Sequence, residues 1–181
     1  AEQSWMNSWA QTNGVDPERV TVVNDTRIEN VADAVADLAL YFRSQLIHNE
    51  PILLVIDSVA AMDCADNIDS KMTDAKAEMG GRAKALYKYF RIRSELFYRL
   101  GVTQIYINQL RTALNVGFGK DNTTTTGGAA LKFYASIRAA FYSGRSITVK
   151  QKGKERKAGK LVTVRLIKNK VAPPRPTISK C

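Results

Sequence analysis

Ile52-Leu53-Leu54-Val55-Ile56-Asp57-Ser58 is the stretch that decides the fold. Five apolar residues without a polar interruption predict a central parallel strand covered on both faces, because a strand with one wet face alternates. Asp57-Ser58 then stands at its carboxyl edge, where open α/β sheets bind ligands. A carboxylate held there by a buried strand suits Mg²⁺, usually bound through water. Asp is also a common loop starter after a strand, so the pattern alone leaves both readings open.

Outward from that strand, helix and strand signals alternate. Residues 3–13 lack Pro and Gly and stop at Gly14, which predicts a short helix with a C′ glycine. Residues 15–19 have turn chemistry, and Val20-Thr21-Val22-Val23 predicts a strand. Val31, Val35, Leu38, Phe42 and Leu46 follow helical spacing over residues 28–46, with Asn30 or Asp25 available as a cap and Pro51 closing the connection. Residues 63–79 are polar and weakly patterned. Ala85, Leu86, Tyr89, Phe90, Leu96, Phe97 and Leu100 mark a helix over 82–100, ended by Gly101. A strand over 102–108 leads into a Gly/Thr/Asn-rich loop over 110–128, longer than compact domains keep without a purpose. A short helix over 129–135 and strands over 136–142, 147–150 and 161–167 follow, with a Lys/Gly connection over 151–160. This order predicts one domain, a parallel α/β sheet extended by an antiparallel portion.

The 181 residues are 45% hydrophobic and 24% charged, the composition of a chain that buries a core and not of a disordered or fibrous one. The longest apolar run is far below the roughly 18–20 residues that span a bilayer, so no membrane role is expected. Nothing at Ala1-Glu2-Gln3-Ser4-Trp5 reads as a secretory signal. Cys64 and Cys181 form neither a disulfide framework nor a zinc site, which favours a reducing compartment. The single histidine, His48, is expected to sit at a helix end. The net charge of +10 hides two opposite halves: residues 1–80 hold 5 Lys+Arg against 14 Asp+Glu, and residues 81–181 hold 22 against 3. So few acids among so many cations point to a polyanion partner more than to an ordinary solvated face.

A phosphate-binding loop, Gly-x-x-x-x-Gly-Lys-Ser/Thr, is the natural companion of Asp57, and the sequence has none. The nearest fragment, Gly117-Phe118-Gly119-Lys120, has Leu114 where the first glycine belongs and Asp121 after the lysine. Three other blocks are distinctive: Ile105-Tyr106-Ile107-Asn108-Gln109-Leu110-Arg111, then Val116-Gly117-Phe118-Gly119, then Thr124 to Arg138 with its Thr-Gly-Gly and Leu-Lys-Phe-Tyr-Ala-Ser runs. Together with Val55-Ile56-Asp57-Ser58-Val59-Ala60-Ala61, Lys168-Asn169-Lys170-Val171-Ala172-Pro173 and the opening Ala1-Glu2, they closely resemble the bacterial and phage RecA-type recombinases, in the same order and over essentially the whole chain.

The resemblance implies a RecA-like P-loop NTPase core over residues 1–181, with a mainly parallel central sheet, helices on both faces and an antiparallel extension. It implies a cytoplasmic, ATP-dependent DNA recombinase of a bacterial or phage-infected cell. Such an enzyme binds single-stranded DNA as a homo-oligomeric filament, pairs it with double-stranded DNA and exchanges strands in recombination, repair and the SOS response. The alternative is a non-catalytic single-stranded nucleic-acid-binding module. ATP and Mg²⁺ are the implied cofactors. Carried over residue by residue, Glu2 is the base orienting the attacking water, Asp57 with Ser58 lies at Mg²⁺, and Gln109 senses the γ-phosphate and orders the loop after it. Lys168 and Lys170, side by side at a strand end, reach the nucleotide of the adjacent subunit. DNA contacts fall within residues 63–81 and 110–127, with Arg111, Phe118, Gly119, Thr125, Gly127 and Gly128 named; Lys132 and Phe133 lie at the subunit interface. Without the resemblance, Glu2 reads as a first-turn acid, Gln109 as a strand-end polar residue, Phe118 as a packing anchor and the lysines as solvated. Two departures stand out. The run Thr123 to Thr126 is one residue longer than usual, and the family's phosphate-binding loop and N-terminal polymerisation helix are not in the sequence. The chain is therefore expected to be a fragment without ATPase activity of its own.

Overall fold

A computed structural model describes residues 5–46, 50–70, 80–112, 123–151, 154–172 and 178–180. The residues fall into two units, Ala1–Ala130 and Leu131–Cys181. In the first, helix α1 (Asn7–Thr12) is shorter than its sequence signal and ends before Gly14, whose φ of 80° is the left-handed value expected of it. Asp16 then accepts the Glu18 N–H at 3.0 Å over a 3-10 turn, Pro17–Arg19. The run Val20 to Val23 is not a strand as expected: it joins no ladder among the described residues. A β-branched run supplies the conformation, but a strand also needs a neighbour to bond.

Helix α2 (Ile28–Gln45) buries Ile28, Val31, Ala32, Val35, Ala36 and Ala39, a stripe at helical spacing. Neither Asn30 nor Asp25 caps it. Arg27 holds the N-cap position, and the Asp25 carboxylate instead accepts from the Arg27 N–H and the Asn30 amide, each at 2.8 Å. Strand β1 (Ile52–Ile56) has the predicted bounds. A short helix α3 (Ala65–Asp69) interrupts the stretch read as unpatterned, helix α4 spans Gly81–Arg99, and strand β2 (Val102–Tyr106) follows Gly101. β1 and β2 pair in parallel, Ile52 opposite Val102 and Ile56 opposite Tyr106.

Among the described residues, helices cover one face of this pair. Ile56, Val102 and Tyr106 turn toward α4, where Tyr106 meets Phe90 with ring centroids 5.0 Å apart. On the opposite face Leu53 and Val55 are 59% and 49% exposed, and Ile105 and Ile107 are exposed beside them. Under the covered face Tyr89, Phe90 and Phe97 pack together. A polar relay runs through them, Tyr89 OH to Tyr106 OH at 3.0 Å and Tyr106 OH to Gln104 Oε1 at 2.7 Å. Burial pushes the Tyr89 phenol up to about 12 and Tyr106 higher still, so both stay protonated donors.

The long loop opens and closes as a ladder: β3 (Leu110–Thr112) pairs antiparallel with β4 (Thr123–Thr125). Helix α5 (Ala130–Tyr134) leads into the second unit, whose body is a hairpin of β5 (Ile137–Gln151) and β6 (Lys154–Asn169), with β7 (Ile178–Lys180) on its edge. The three strands expected here merge into two, and most of the stretch read as a connection over 151–160 is β6. Register shifts at Ser143/Ser146 and Ile147/Thr148 break the period-2 pattern, so one bent strand reads as two. Among the described residues the antiparallel strands form a sheet of three, in the order β5–β6–β7. No described helix is long and apolar enough to cross a membrane.

Asp63 ties the start of α2 to α3 and α4. Its backbone bonds Thr26 and Ile28, and its carboxylate accepts from the Cys64 N–H at 2.9 Å, Asn67 at 2.8 Å and Arg82 at 2.7 Å. Burial works to raise its pKa, and the bonds from Arg82, Asn67 and Cys64 outweigh that and hold it below the usual 3.8. A depressed folded-state pKa means stability that is present above the unfolded value and lost as pH falls through the folded one. Stability against urea should therefore fall below about pH 4 in the wild type. Asp63→Asn should be less stable near neutrality and flatter through that window; an unchanged acid limb would contradict the assignment.

Candidate functional site

Parallel pairing continues one step past each strand: the Ile107 N–H donates to the Ile56 carbonyl at 3.0 Å and the Val59 N–H to the Ile107 carbonyl at 2.9 Å. Asp57 and Ser58 are thereby placed beside Asn108 and Gln109 at the carboxyl ends of β1 and β2. Asp57 is exposed and Ser58 is 1% exposed, with a cis peptide between them. Gln109 is exposed, and its N–H donates to Asn108 Oδ1 at 2.8 Å. No group of three or more His, Cys, Asp or Glu side chains able to hold a metal occurs among the described residues. One exposed carboxylate suits Mg²⁺ in the way that ion is usually held, by one or two carboxylates with water and phosphate completing its shell. An exposed amide one strand away suits a phosphate oxygen. The backbone cradle that would hold the rest of a nucleotide is not among the described residues. Glu2, the expected base, lies outside them.

From Gln109 the chain enters β3, where Arg111 pairs with Thr124 and Leu110 with Thr125. Arg111 is exposed and Thr125 half-buried. Across the loop base, Asn108 Nδ2 donates to the Thr126 carbonyl at 2.8 Å, and the Thr126 hydroxyl is buried without a partner. Gly127 and Gly128 follow at φ 90° and 71° and lie flat on α4. A Cβ on Gly127 would sit 2.5 Å from Leu86 Cδ1, and one on Gly128 2.9 Å from Ala83 Cβ. That contact brings the loop base against a surface that no sequence motif singles out: Lys84, Tyr87, Lys88 and Arg91, with Ala83, line an open groove on α4. The signal is nonetheless in the sequence, since these positions recur at three- and four-residue spacing opposite the buried Leu86, Tyr89, Phe90 and Phe97. Phe118 and Gly119 lie outside the described residues, as does His48.

In the second unit, the two lysines differ. Lys168 Nζ donates to the carbonyls of Lys132 and Phe133, 2.8 Å each, at the carboxyl end of α5, where the helix dipole favours a cation. Partial desolvation, then the nearby charges of Lys170 and Arg138, lower its pKa. Lys170 is exposed just beyond β6, fixed by its N–H to the Ser136 carbonyl at 2.9 Å. The expected pair of outward lysines is thus one cation folded back onto its own chain and one exposed. Lys132 and Phe133 are exposed, Phe133 by 68%. Further along, Arg145, Lys150, Lys154, Arg156, Lys157 and Lys160 are exposed with only Glu155 among them.

A sequence model of the family described as RecA N-terminal domain matches residues 1–179. Similar curated proteins include Protein RecA of a Picosynechococcus strain, 35% identical over 175 residues that make up 96% of this chain and 46% of that protein. Protein RecA of Bacteroides thetaiotaomicron is 37% identical over 96% of this chain and 48% of its own length, and that of Sulfurimonas denitrificans 37% over 96% and 47%. The chain spans about half the length of the relatives it matches.

The seating of Gly127 on Leu86 is testable. Gly127→Ala should cost roughly 1–3 kcal/mol, combining a left-handed backbone with a sub-van-der-Waals contact. Chemical denaturation measures it, and a neutral substitution would show that the turn does not rest on α4.

Proposed function

The chain belongs to the RecA family, and from that premise we propose that it is part of the P-loop NTPase core of an ATP-dependent DNA recombinase, working in the cytoplasm on single- and double-stranded DNA. The observation that carries this reading is a continuous path. Asp57 and Gln109 share one sheet edge, Gln109 abuts Asn108, Asn108 holds Thr126, and of the next two residues Gly127 packs on Leu86 and Gly128 on Ala83, at the border of the groove lined by Lys84, Lys88 and Arg91. When ATP and Mg²⁺ are bound, they supply the phosphoryl group and the charge that neutralises it.

This chain's residues then have separable roles. Asp57, steadied by the buried Ser58, holds the metal's water; Gln109 bonds the terminal phosphate; Glu2 orients the attacking water. Lys170, and Lys168 once released from α5, approach the nucleotide of a neighbouring copy in a filament, with Lys132 and Phe133 at that interface. Lys84, Lys88, Arg91 and Arg111 neutralise phosphates of a single strand, and Thr125, Gly127 and Gly128, with Gly119, admit its backbone closely. Phe118 stacks on a base. Contacts of this kind read no sequence, which suits an enzyme that leaves discrimination to base pairing. One observation favours a second reading, a nucleic-acid-binding module without catalysis: the exposed cations Lys84, Lys88 and Arg91 need no nucleotide in order to meet a phosphate.

Nucleotide-dependent single-strand affinity of the whole protein separates the readings, and two measurements on this chain test what they share. Log affinity for a single strand should fall linearly with log salt at about 0.7 per phosphate neutralised, and Lys84→Ala or Arg91→Ala should each lower the slope by about that amount. A flat salt response would remove the electrostatic account. Both tryptophans, Trp5 and Trp9, lie at or in α1, close in sequence to Glu2, so intrinsic fluorescence reports on that end of the chain. With no phosphate cradle, this chain alone should release no phosphate from ATP with or without DNA, and ATP should leave the fluorescence unchanged. DNA-stimulated turnover would overturn that expectation.

A further inference from the structure

We propose that Asn108 is a positioning residue, the clamp that closes the base of the β3–β4 hairpin and registers Gln109 against the Gly127–Gly128 turn. Both ends of its carboxamide are engaged: Nδ2 donates to the Thr126 carbonyl at 2.8 Å and Oδ1 accepts the Gln109 N–H at 2.8 Å. The orientation admits no flip, because a carbonyl can only receive the NH₂ and an N–H can only be received by the oxygen. One planar group thus joins the end of β2 to the far stem of a hairpin 18 residues away in sequence. The ladder it closes has three residue pairs, Leu110 to Thr112 against Thr123 to Thr125. A hairpin that short is marginal in water by itself and needs something across its open end.

The clamp's chemistry also excludes near neighbours. Aspartate keeps the acceptor for Gln109 but turns a donated bond into repulsion between a carboxylate and the Thr126 carbonyl. Alanine loses both bonds. The contact uses only the backbone of Thr126, whose hydroxyl is the one buried side-chain polar atom without a partner among the described residues. Thr126→Val removes that orphan at constant shape and leaves the clamp intact, which makes it a matched control.

The consequence for binding rests on the reading of α4 as a single-strand surface; the consequence for the hairpin does not, and the test keeps them apart. Amide hydrogen exchange of the free chain, and anisotropy with a labelled thymidine oligonucleotide across a salt series, are measured for the wild type, Asn108→Ala, Asn108→Asp, Thr126→Val and Lys84→Ala. Exchange at residues 110–112 and 123–125 should speed up about tenfold in both Asn108 variants and stay unchanged in Thr126→Val and Lys84→Ala. Affinity should fall about tenfold in the Asn108 variants with the wild-type salt slope, because no cation is lost; Lys84→Ala should lower affinity and slope together. The thermal midpoint of the Asn108 variants should stay within a few degrees of wild type. Unchanged stem exchange in Asn108→Asp, wild-type behaviour of Asn108→Ala, or a global loss of protection would overturn the inference. If the wild type does not bind the oligonucleotide, the reading of α4 fails while stem exchange still decides the clamp.

Discussion

Parallel pairing of Ile52–Ile56 with Val102–Tyr106 is the constraint on which the rest of the first unit depends. Two antiparallel strands would deliver their following residues to opposite edges of the sheet. Parallel strands deliver both to the same edge, so Asp57-Ser58 and Asn108-Gln109 emerge together although about fifty positions separate them in sequence. The return between them must cross the sheet's length, and α4 performs it. That helix is therefore pinned beneath β2 by Tyr89, Phe90 and Tyr106, with its opposite face turned outward. Placement of the carboxylate, the amide and the basic helix follows from one hydrogen-bonding choice.

Much of this is legible in the amino-acid sequence, and the part that is not has physical causes. Unbroken apolarity over Ile52–Ile56 locates β1 to the residue, and the 3.6-residue stripes locate α2 and α4 to within a residue or two. The same apolarity overstates burial, since Leu53 and Val55 meet no described residue that covers them. Composition says what a strand can bury and not what it does bury. Strand β5 defeats the period-2 pattern because its bulges shift which side chains share a face. The run at Val20 misleads for a complementary reason: backbone preference is local, and a ladder is not.

Site residues divide along a similar line. Asp57 follows a strand whose end is readable from its apolar run, whereas Gln109, singled out only by the family resemblance, falls beyond the end of the neighbouring strand. Asn108 stands within a recognisable block, but its role depends on Thr126, reached only when the chain folds back on itself. Nothing in linear spacing announces that. Lys168 shows the opposite failure, in which spacing suggests freedom that tertiary structure removes: the cation that spacing leaves beside Lys170 spends two of its three donors on α5.

The same distinction sharpens what the charge of +10 is worth. A cation contributes to polyanion binding only what its intramolecular partners leave it. Along α4, Arg82 is held by Asp63, Arg93 by Asp33 and Arg99 by Glu95. Lys84, Lys88 and Arg91 make no ion pair among the described residues, and they line a groove together with Ala83, the residue that Gly128 meets. Arg82 and Arg93 are turned toward Asp63, just before α3, and toward Asp33 on α2, so they fasten the helix that presents the other three. Counterion release requires cations that are both unpaired and held in a row. On the proposed reading as a single-strand surface, α4 would supply the row, and the Gly127–Gly128 turn beside it would let a phosphodiester backbone come close enough to use them.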